Sequence, residues 1–156
     1  MEVVIQESMF HNLCWGCGPL NERGLRIKSY WNGLESVCSW QPQDVFMAGP
    51  RHILNGGIIA TVLDCHCICT AIAVAYEQEG REMGPEPHIW YATASMNVRY
   101  LKPTPIDQPV LLRATVTEIV RRKTVLSCSL FSGSTKTVEG EVVAVRVPTE
   151  WFDDGL

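Results

Sequence analysis

HILNGGIIATVLDCHCICTAIAVAY, residues 52–76, decides the fold of this chain. Within it Asn55-Gly56-Gly57 opens a run in which the only formally charged residue as far as Tyr76 is Asp64. As a helix the run is about 30 Å long, at ~1.5 Å per residue. A helix apolar on nearly every face is either buried or spans a membrane. Asp64, His66 and three cysteines interrupt this one, and the chain has no comparable second segment. Both points favour a buried central helix over a membrane span. A lone carboxylate inside such a helix is costly to bury unless it is paired or put to use.

The flanking segments read outward from there. Residues 41–51 contain Pro42, Gly49 and Pro50, a loop that delivers the chain to the helix. Asn55 is a favoured N-cap. Two glycines in the first turn each cost about 1 kcal/mol of helix propensity, but leave backbone N–H groups uncovered by side chains. Upstream, residues 25–31 and 34–40 flank Asn32-Gly33, a strong short-range hairpin signal. Residues 14–24, CWGCGPLNERG, read as a turn-rich loop, and residues 1–13 as a short helix or an arm.

Downstream, a polar loop at 77–88 precedes a long strand at 89–101, which ends at Lys102-Pro103-Thr104-Pro105. A strand at 110–120 leads to the basic turn Arg121-Arg122-Lys123. Residues 124–131 and 138–147 then form a hairpin around Ser132-Gly133-Ser134, and an acidic tail at 149–156 is peripheral. No helix separates the later strands, which excludes a parallel βαβ array. The expected architecture is α+β, an antiparallel sheet packed on one long helix. It forms a single domain over residues 1–156 with its core at about 14–148.

Composition agrees. At 156 residues, 46% hydrophobic and 19% charged, the chain is a globular one. A net charge of −4 argues against a nucleic-acid or anionic-membrane partner. The first residues lack a basic start and a continuous apolar stretch, so no export signal is expected and the cytoplasm is the default compartment. Seven cysteines are then expected as reduced thiols. Cys14 and Cys17 form a C-x-x-C, while Cys65, Cys67 and Cys69 alternate around the helix, so that at most Cys65 and Cys69 share a face. A zinc site wants four ligands of compatible geometry. The reading is therefore buried or loop thiols, with no metal.

At helical spacing Asp64 shares a face with Gly57, Ala60, Thr61, Cys67, Ile68 and Ala71, mostly small residues, while Ile58, Val62 and Ile72 face the sheet. A stripe of small side chains around a carboxylate admits either a second helix or a ligand. The plain structural reading is tight packing, with Asp64 hydrogen-bonded to a neighbour. The other uses the glycines, since amides at a helix N-terminus stabilise an oxyanion. Gly56 and Asp64 lie eight residues, roughly 12 Å, apart along the helix. They can meet one reacting carbonyl only if they come from two chains related by a two-fold axis.

Three stretches, taken together, resemble a known family. Residues 55–64, NGGIIATVLD, are similar to the helix motif of hotdog-fold thioesterases, usually His-Gly-Gly followed seven residues later by Asp or Glu. Residues 93–103, TASMNVRYLKP, resemble their long strand ending in aromatic-Leu-Arg-Pro. Residues 14–21 with Gly24-Leu25 resemble the cysteine-and-glycine loop of one bacterial branch. The resemblance implies a hotdog fold assembled as a homodimer or tetramer, and hydrolysis of an acyl-CoA or acyl-carrier thioester without metal or cofactor. It implies Asp64 as the carboxylate that attacks the thioester or activates water, Gly56 as the oxyanion donor from the partner subunit, and Thr93 as the residue that positions the water.

Asn55 stands where the family has His. Gly49 stands where some relatives have an Asn or Gln that contacts the thioester carbonyl, with His52 close by to compensate. Gly57 is a further candidate at the substrate. Arg99, Lys102, Arg121, Arg122 and Lys123 are candidates for the phosphates of the thiol carrier. Trp31, Trp40 and Trp90 could line an acyl cleft or serve as core. The departures at 49 and 55 keep a second class of function open, a hotdog protein that binds the thioester without cleaving it. A dehydratase would show a His-and-Asp pair on the helix side, which the spacing does not provide.

Overall fold

A computed structural model describes residues 3–152 of the chain. Its centre is one helix, α1, Gly56–Gln78. Asn55 caps it as expected. Its Oδ1 accepts from the N–H groups of Gly57 at 2.8 Å and Ile58 at 3.3 Å, two of the donors a helix start leaves orphaned. At the far end the Glu79 N–H closes the last turn onto the Ala75 carbonyl. This helix has the length and apolarity of a membrane span, but most of its surface is buried inside the protein.

Six antiparallel strands wrap it: β1 Tyr30–Trp31, β2 Ser36–Trp40, β3 Tyr91–Tyr100, β4 Val110–Val120, β5 Lys123–Ser132 and β6 Thr135–Arg146. They form one sheet in the order β1-β2-β4-β5-β6-β3. Period-two alternation selects the inner face. Val110, Leu112 and Ala114 of β4, Leu126, Cys128 and Leu130 of β5, and Val138, Val142 and Ala144 of β6 are buried. Against them lie Ile59, Val62, Leu63, His66 and Ile72 of α1. Each fully buried aliphatic of this kind contributes about 1.5–3 kcal/mol relative to exposure. At Gly140 of β6 the helix comes closest: an added Cβ would meet the Leu63 methyls at 3.1 Å and the Asn97 carbonyl at 3.0 Å. One long helix held in a curled antiparallel sheet is the hotdog architecture, an α+β fold.

Several local expectations are corrected. The first hairpin keeps Asn32-Gly33 at its turn, but Trp31 pairs with Ser36, so four residues separate the strands rather than two. Asn32 Oδ1 accepts from the Leu34 and Glu35 amides, both at 2.9 Å, and this side-chain turn widens the loop. Residues 25–29 are not strand, because they serve instead as hydrogen-bonding partners to the loop at 14–24 and the N-terminal segment. The N-terminal arm holds one 3-10 turn, Ile5–Ser8. On α1, Cys67 and Ala71 are buried rather than on the open face, and Ile58 is only half-buried, because the sheet curls around more than half of the helix. The tail forms a 3-10 turn at Thr149–Phe152, and the acidic residues beyond it lie outside the described residues.

Candidate active site

Asp64 faces the one stripe of α1 that the sheet leaves partly open, with Gly57, Ala60, Thr61 and Ile68. Across from it runs β3, the edge strand, whose residues 93–97 are exposed. The Thr93 hydroxyl donates to Asp64 Oδ1 at 2.5 Å. Burial raises the Asp64 carboxyl above its ordinary value of 3.8; the Thr93 hydrogen bond lowers it, and the nearby Cys17 thiol raises it slightly. The pair stands at the mouth of a cavity of about 180 Å³, walled by Met9, Cys17, Ile68, Trp90, Tyr91 and their neighbours and predominantly apolar. A carboxylate poised above its normal pKa beside an apolar recess is a stronger base than the same group in water.

Gly56 sits at the other end of the open stripe. The Asn55 cap engages the Gly57 and Ile58 amides but not that of Gly56. The Gly56 carbonyl accepts from the Tyr100 hydroxyl at 2.6 Å, and the Tyr100 ring covers the glycine closely enough that an added Cβ would touch it at 3.4 Å. Within one chain, then, the two ends of the helix stripe are tied to the two ends of β3. Thr93 holds Asp64, and Tyr100 holds Gly56. Tyr100 is a residue that sequence reasoning quoted but gave no part. Parity hid it: Thr93 and Tyr100 are seven residues apart, an odd number that sets them on opposite faces of a regular strand, and only the β-bulge between Thr93 and Ser95 returns them to one face.

The other candidates divide. Asn55 serves the helix as its cap, and Gly57 is exposed beside it, with its carbonyl accepting from Thr61 at 3.0 Å. His52 is exposed in the turn before the helix and is not brought to Asp64; its carbonyl accepts from the Ile106 amide at 3.1 Å. Gly49 faces open space. Arg99 and Lys102 are exposed at the Tyr100 end of β3, where Arg99 pairs with Glu139 at 3.1 Å. Arg121, Arg122 and Lys123 lie on the β4–β5 turn at the opposite end of the sheet. There the Arg122 guanidinium donates to the Arg146 carbonyl at 2.7 Å, and Arg146 pairs with Tyr91. The basic residues thus form two groups rather than one. Of the tryptophans, Trp90 lines the Asp64 cavity, whereas Trp40 packs on Phe46 at 6.0 Å and Trp31 borders a separate cleft.

His66 is excluded from the chemistry by its surroundings. It is wholly buried on the sheet side of α1, and burial depresses its pKa to about 4. The Ser29 hydroxyl donates to Nδ1 at 2.7 Å, and Nε2 donates to the Ser36 carbonyl at 3.2 Å. Ser29 in turn accepts from the Gln6 amide at 2.8 Å. Both ring nitrogens are satisfied in a neutral core network, and among the described residues no His-and-Asp pair lines the cavity. The loop at 14–24 brings Cys14 and Cys17 against Cys65, a convergence that the spacing of the helix cysteines alone did not reveal.

Comparison with known proteins follows this geometry. A family model described as the Thioesterase superfamily matches residues 52–139, which include α1, Asp64 and Thr93. The chain is 29% identical over 126 residues to acyl-coenzyme A thioesterase THEM4 of Rattus norvegicus, a match covering 80% of this chain and 48% of that protein. It is 30% identical over 125 residues to the same-named protein of Mus musculus, with the same coverage. The chain therefore spans about half the length of these curated relatives. A solved thioesterase superfamily protein from Shewanella loihica PV-4 superposes with a TM-score of 0.62 at 30% identity, over 78% of this chain and 91% of that one. The family model spans more than half of the sequence, and the chain belongs to the thioesterase superfamily.

Proposed function

We propose that this chain is a thioester hydrolase acting on an acyl-CoA, with Asp64 as general base and the Gly56 amide of a second chain as oxyanion donor. The observation that carries the reading is the Thr93–Asp64 pair at the mouth of the apolar cavity. In the reaction water adds to the thioester carbonyl carbon, its proton passing to the free oxygen of Asp64 while the carbonyl electron pair moves onto oxygen. An amide N–H directed at that oxygen stabilises it. Collapse breaks the carbon–sulfur bond, and the departing thiolate takes the proton back from Asp64. The products are a free acid and a thiol.

The homodimer follows from the edge of the sheet. β3 is ten residues long, pairs among the described residues only with β6, and exposes Met96 and Tyr100. Such an edge templates pairing with another strand. A two-fold axis through the middle of β3, between Met96 and Asn97, sets Thr93 of one chain opposite Tyr100 of the other. Because Thr93 holds Asp64 and Tyr100 holds Gly56, that register faces each carboxylate with the other chain's helix start. It also carries Arg99 and Lys102 of one chain toward the cavity of the other, where phosphates of the carrier could be held. Assembly as a tetramer would build on this pair. The acyl-CoA class is supported by the names of the curated relatives, and a cytoplasmic location is part of the same proposal.

One observation favours a second reading, an acyl-thioester binder without turnover. The cap takes the Asn55 Oδ1 and leaves only its exposed amide N–H₂, His52 is outside the cavity and Gly49 has no side chain, so the helix start lacks the usual set of donors to a thioester. Thiol release from a panel of acyl-CoAs, run beside a sizing measurement, tests the proposal. Turnover by a dimer or tetramer is expected. Saturable binding without thiol release across the panel, or an active monomer, would overturn it.

A further inference from the structure

The first C-x-x-C of the chain is folded onto the helix. Cys14-Trp15-Gly16-Cys17 makes a tight turn closed by the Gly18 N–H donating to the Cys14 carbonyl at 2.7 Å. It lies over the α1 face that carries Cys65 and, one helical turn on, Cys69. The Sγ atoms of Cys14, Cys17 and Cys65 all lie within 4.8 Å of one another. Cys14 and Cys65 are 3.7 Å apart and Cys17 and Cys69 are 3.9 Å apart. A tetrahedron of thiolates around zinc, with bonds of about 2.3 Å, has sulfur–sulfur edges of about 3.75 Å. These separations match that edge and far exceed the ~2.05 Å of a disulfide.

The backbone is built to allow the approach. A Cβ on Gly16 would overlap Cys65 Sγ, and one on Gly18 would meet the Cys14 amide at 2.5 Å and the Asn12 carbonyl at 2.6 Å. The Asn12 side-chain amide points at Cys17 Sγ from 3.7 Å, the kind of N–H···S contact that orients a ligating sulfur. Cys17, Cys65 and Cys69 are buried, while Cys14 is exposed and leaves a route for an ion.

We propose that Cys14, Cys17, Cys65 and Cys69 form a thiolate site for one tetrahedral metal ion of the zinc class, which fastens the loop at 14–24 to α1. Three of the sulfurs already converge, and Cys69, whose Sγ lies 3.9 Å from that of Cys17, completes the set by turning from Met9 toward the other two. Binding deprotonates the thiols and releases protons. The site is structural. It fixes one wall of the Asp64 cavity, since Cys14, Cys17 and Cys65 all line it, and no step of thioester cleavage passes through the metal. The inference does not rest on the hydrolase reading and is tested without substrate.

The full chain, purified under reducing conditions without a metal-affinity step, is analysed for metal and titrated with Co²⁺. About one equivalent per chain is expected, with an intense thiolate-to-cobalt charge-transfer band and tetrahedral d–d bands. Cys14→Ser and Cys17→Ser should lose the metal, and Cys128→Ser, on β5, should keep it. Should the Cys17→Ser chain fail to fold, the wild-type chain still decides. Zn²⁺ added to the metal-free protein should slow alkylation of exposed Cys14 by at least about tenfold. An unchanged alkylation rate, no uptake of Co²⁺ by reduced protein, or a Cys14–Cys65 disulfide in place of metal would overturn the proposal.

Discussion

Asp64→Asn separates a working carboxylate from a structural one, because the two roles demand opposite changes in stability. Asn and Asp have similar helix propensities, and the Asn carbonyl still accepts the Thr93 hydroxyl, so neither the helix nor that 2.5 Å bond is the variable. What changes is the charge. Burial holds the Asp64 carboxyl above its ordinary 3.8, so the folded state binds the proton more tightly than the unfolded one, and stability falls as pH rises through that window. At neutral pH the half-buried carboxylate therefore costs stability, and the Thr93 hydrogen bond offsets only part of that cost.

Removing that charge should raise Tm, by about 2–4 °C for each kcal/mol of the cost relieved in a chain of this size. The gap should close only as the pH is lowered below 3.8, where wild-type Asp64 is protonated in both states. Turnover, measured as thiol release, should fall by about 10²- to 10⁴-fold with the loss of the base. Thermal denaturation across pH and a thiol-release assay on the same preparation report both effects. Undiminished thiol release, or a lowered Tm at neutral pH, would refute the reasoning and leave Asp64 as a packing residue.

The remaining expectations are narrower. Thr93→Val removes the donor that pulls the Asp64 pKa down, so the acid limb of the pH–rate profile should move to higher pH while Tm changes little at this exposed position. Asn55→Ala deletes the cap on two amides and should cost about 1 kcal/mol, read as a lower midpoint in denaturant unfolding. Gly140→Ala presses a methyl against Leu63 and the Asn97 carbonyl. It should destabilise the chain by about 1–3 kcal/mol, whereas an alanine at open Gly49 should be neutral by the same measurement.

The helix, its cap and the succession of strand segments along the chain were legible in the sequence because each is encoded locally. An apolar run of helical length cannot lie in solvent, an Asn before two glycines can bond the amides next to it, and period-two alternation marks the inner face of β4 and β5. The isolation of Asp64 was legible for the same reason, since the cost of burying a charge is a property of the residue and its immediate run. The local signals failed where partners came from far along the chain. Tertiary packing alone decided that the Thr93 hydroxyl bonds Asp64 directly, that His52 stays outside the cavity, that Tyr100 covers Gly56, and that His66 spends both nitrogens in the core. It also brought two loop cysteines to the helix thiols across about fifty residues of chain. Periodicity reports which face a side chain occupies, but the partner on that face is chosen by how the sheet curls and where the connecting loops land.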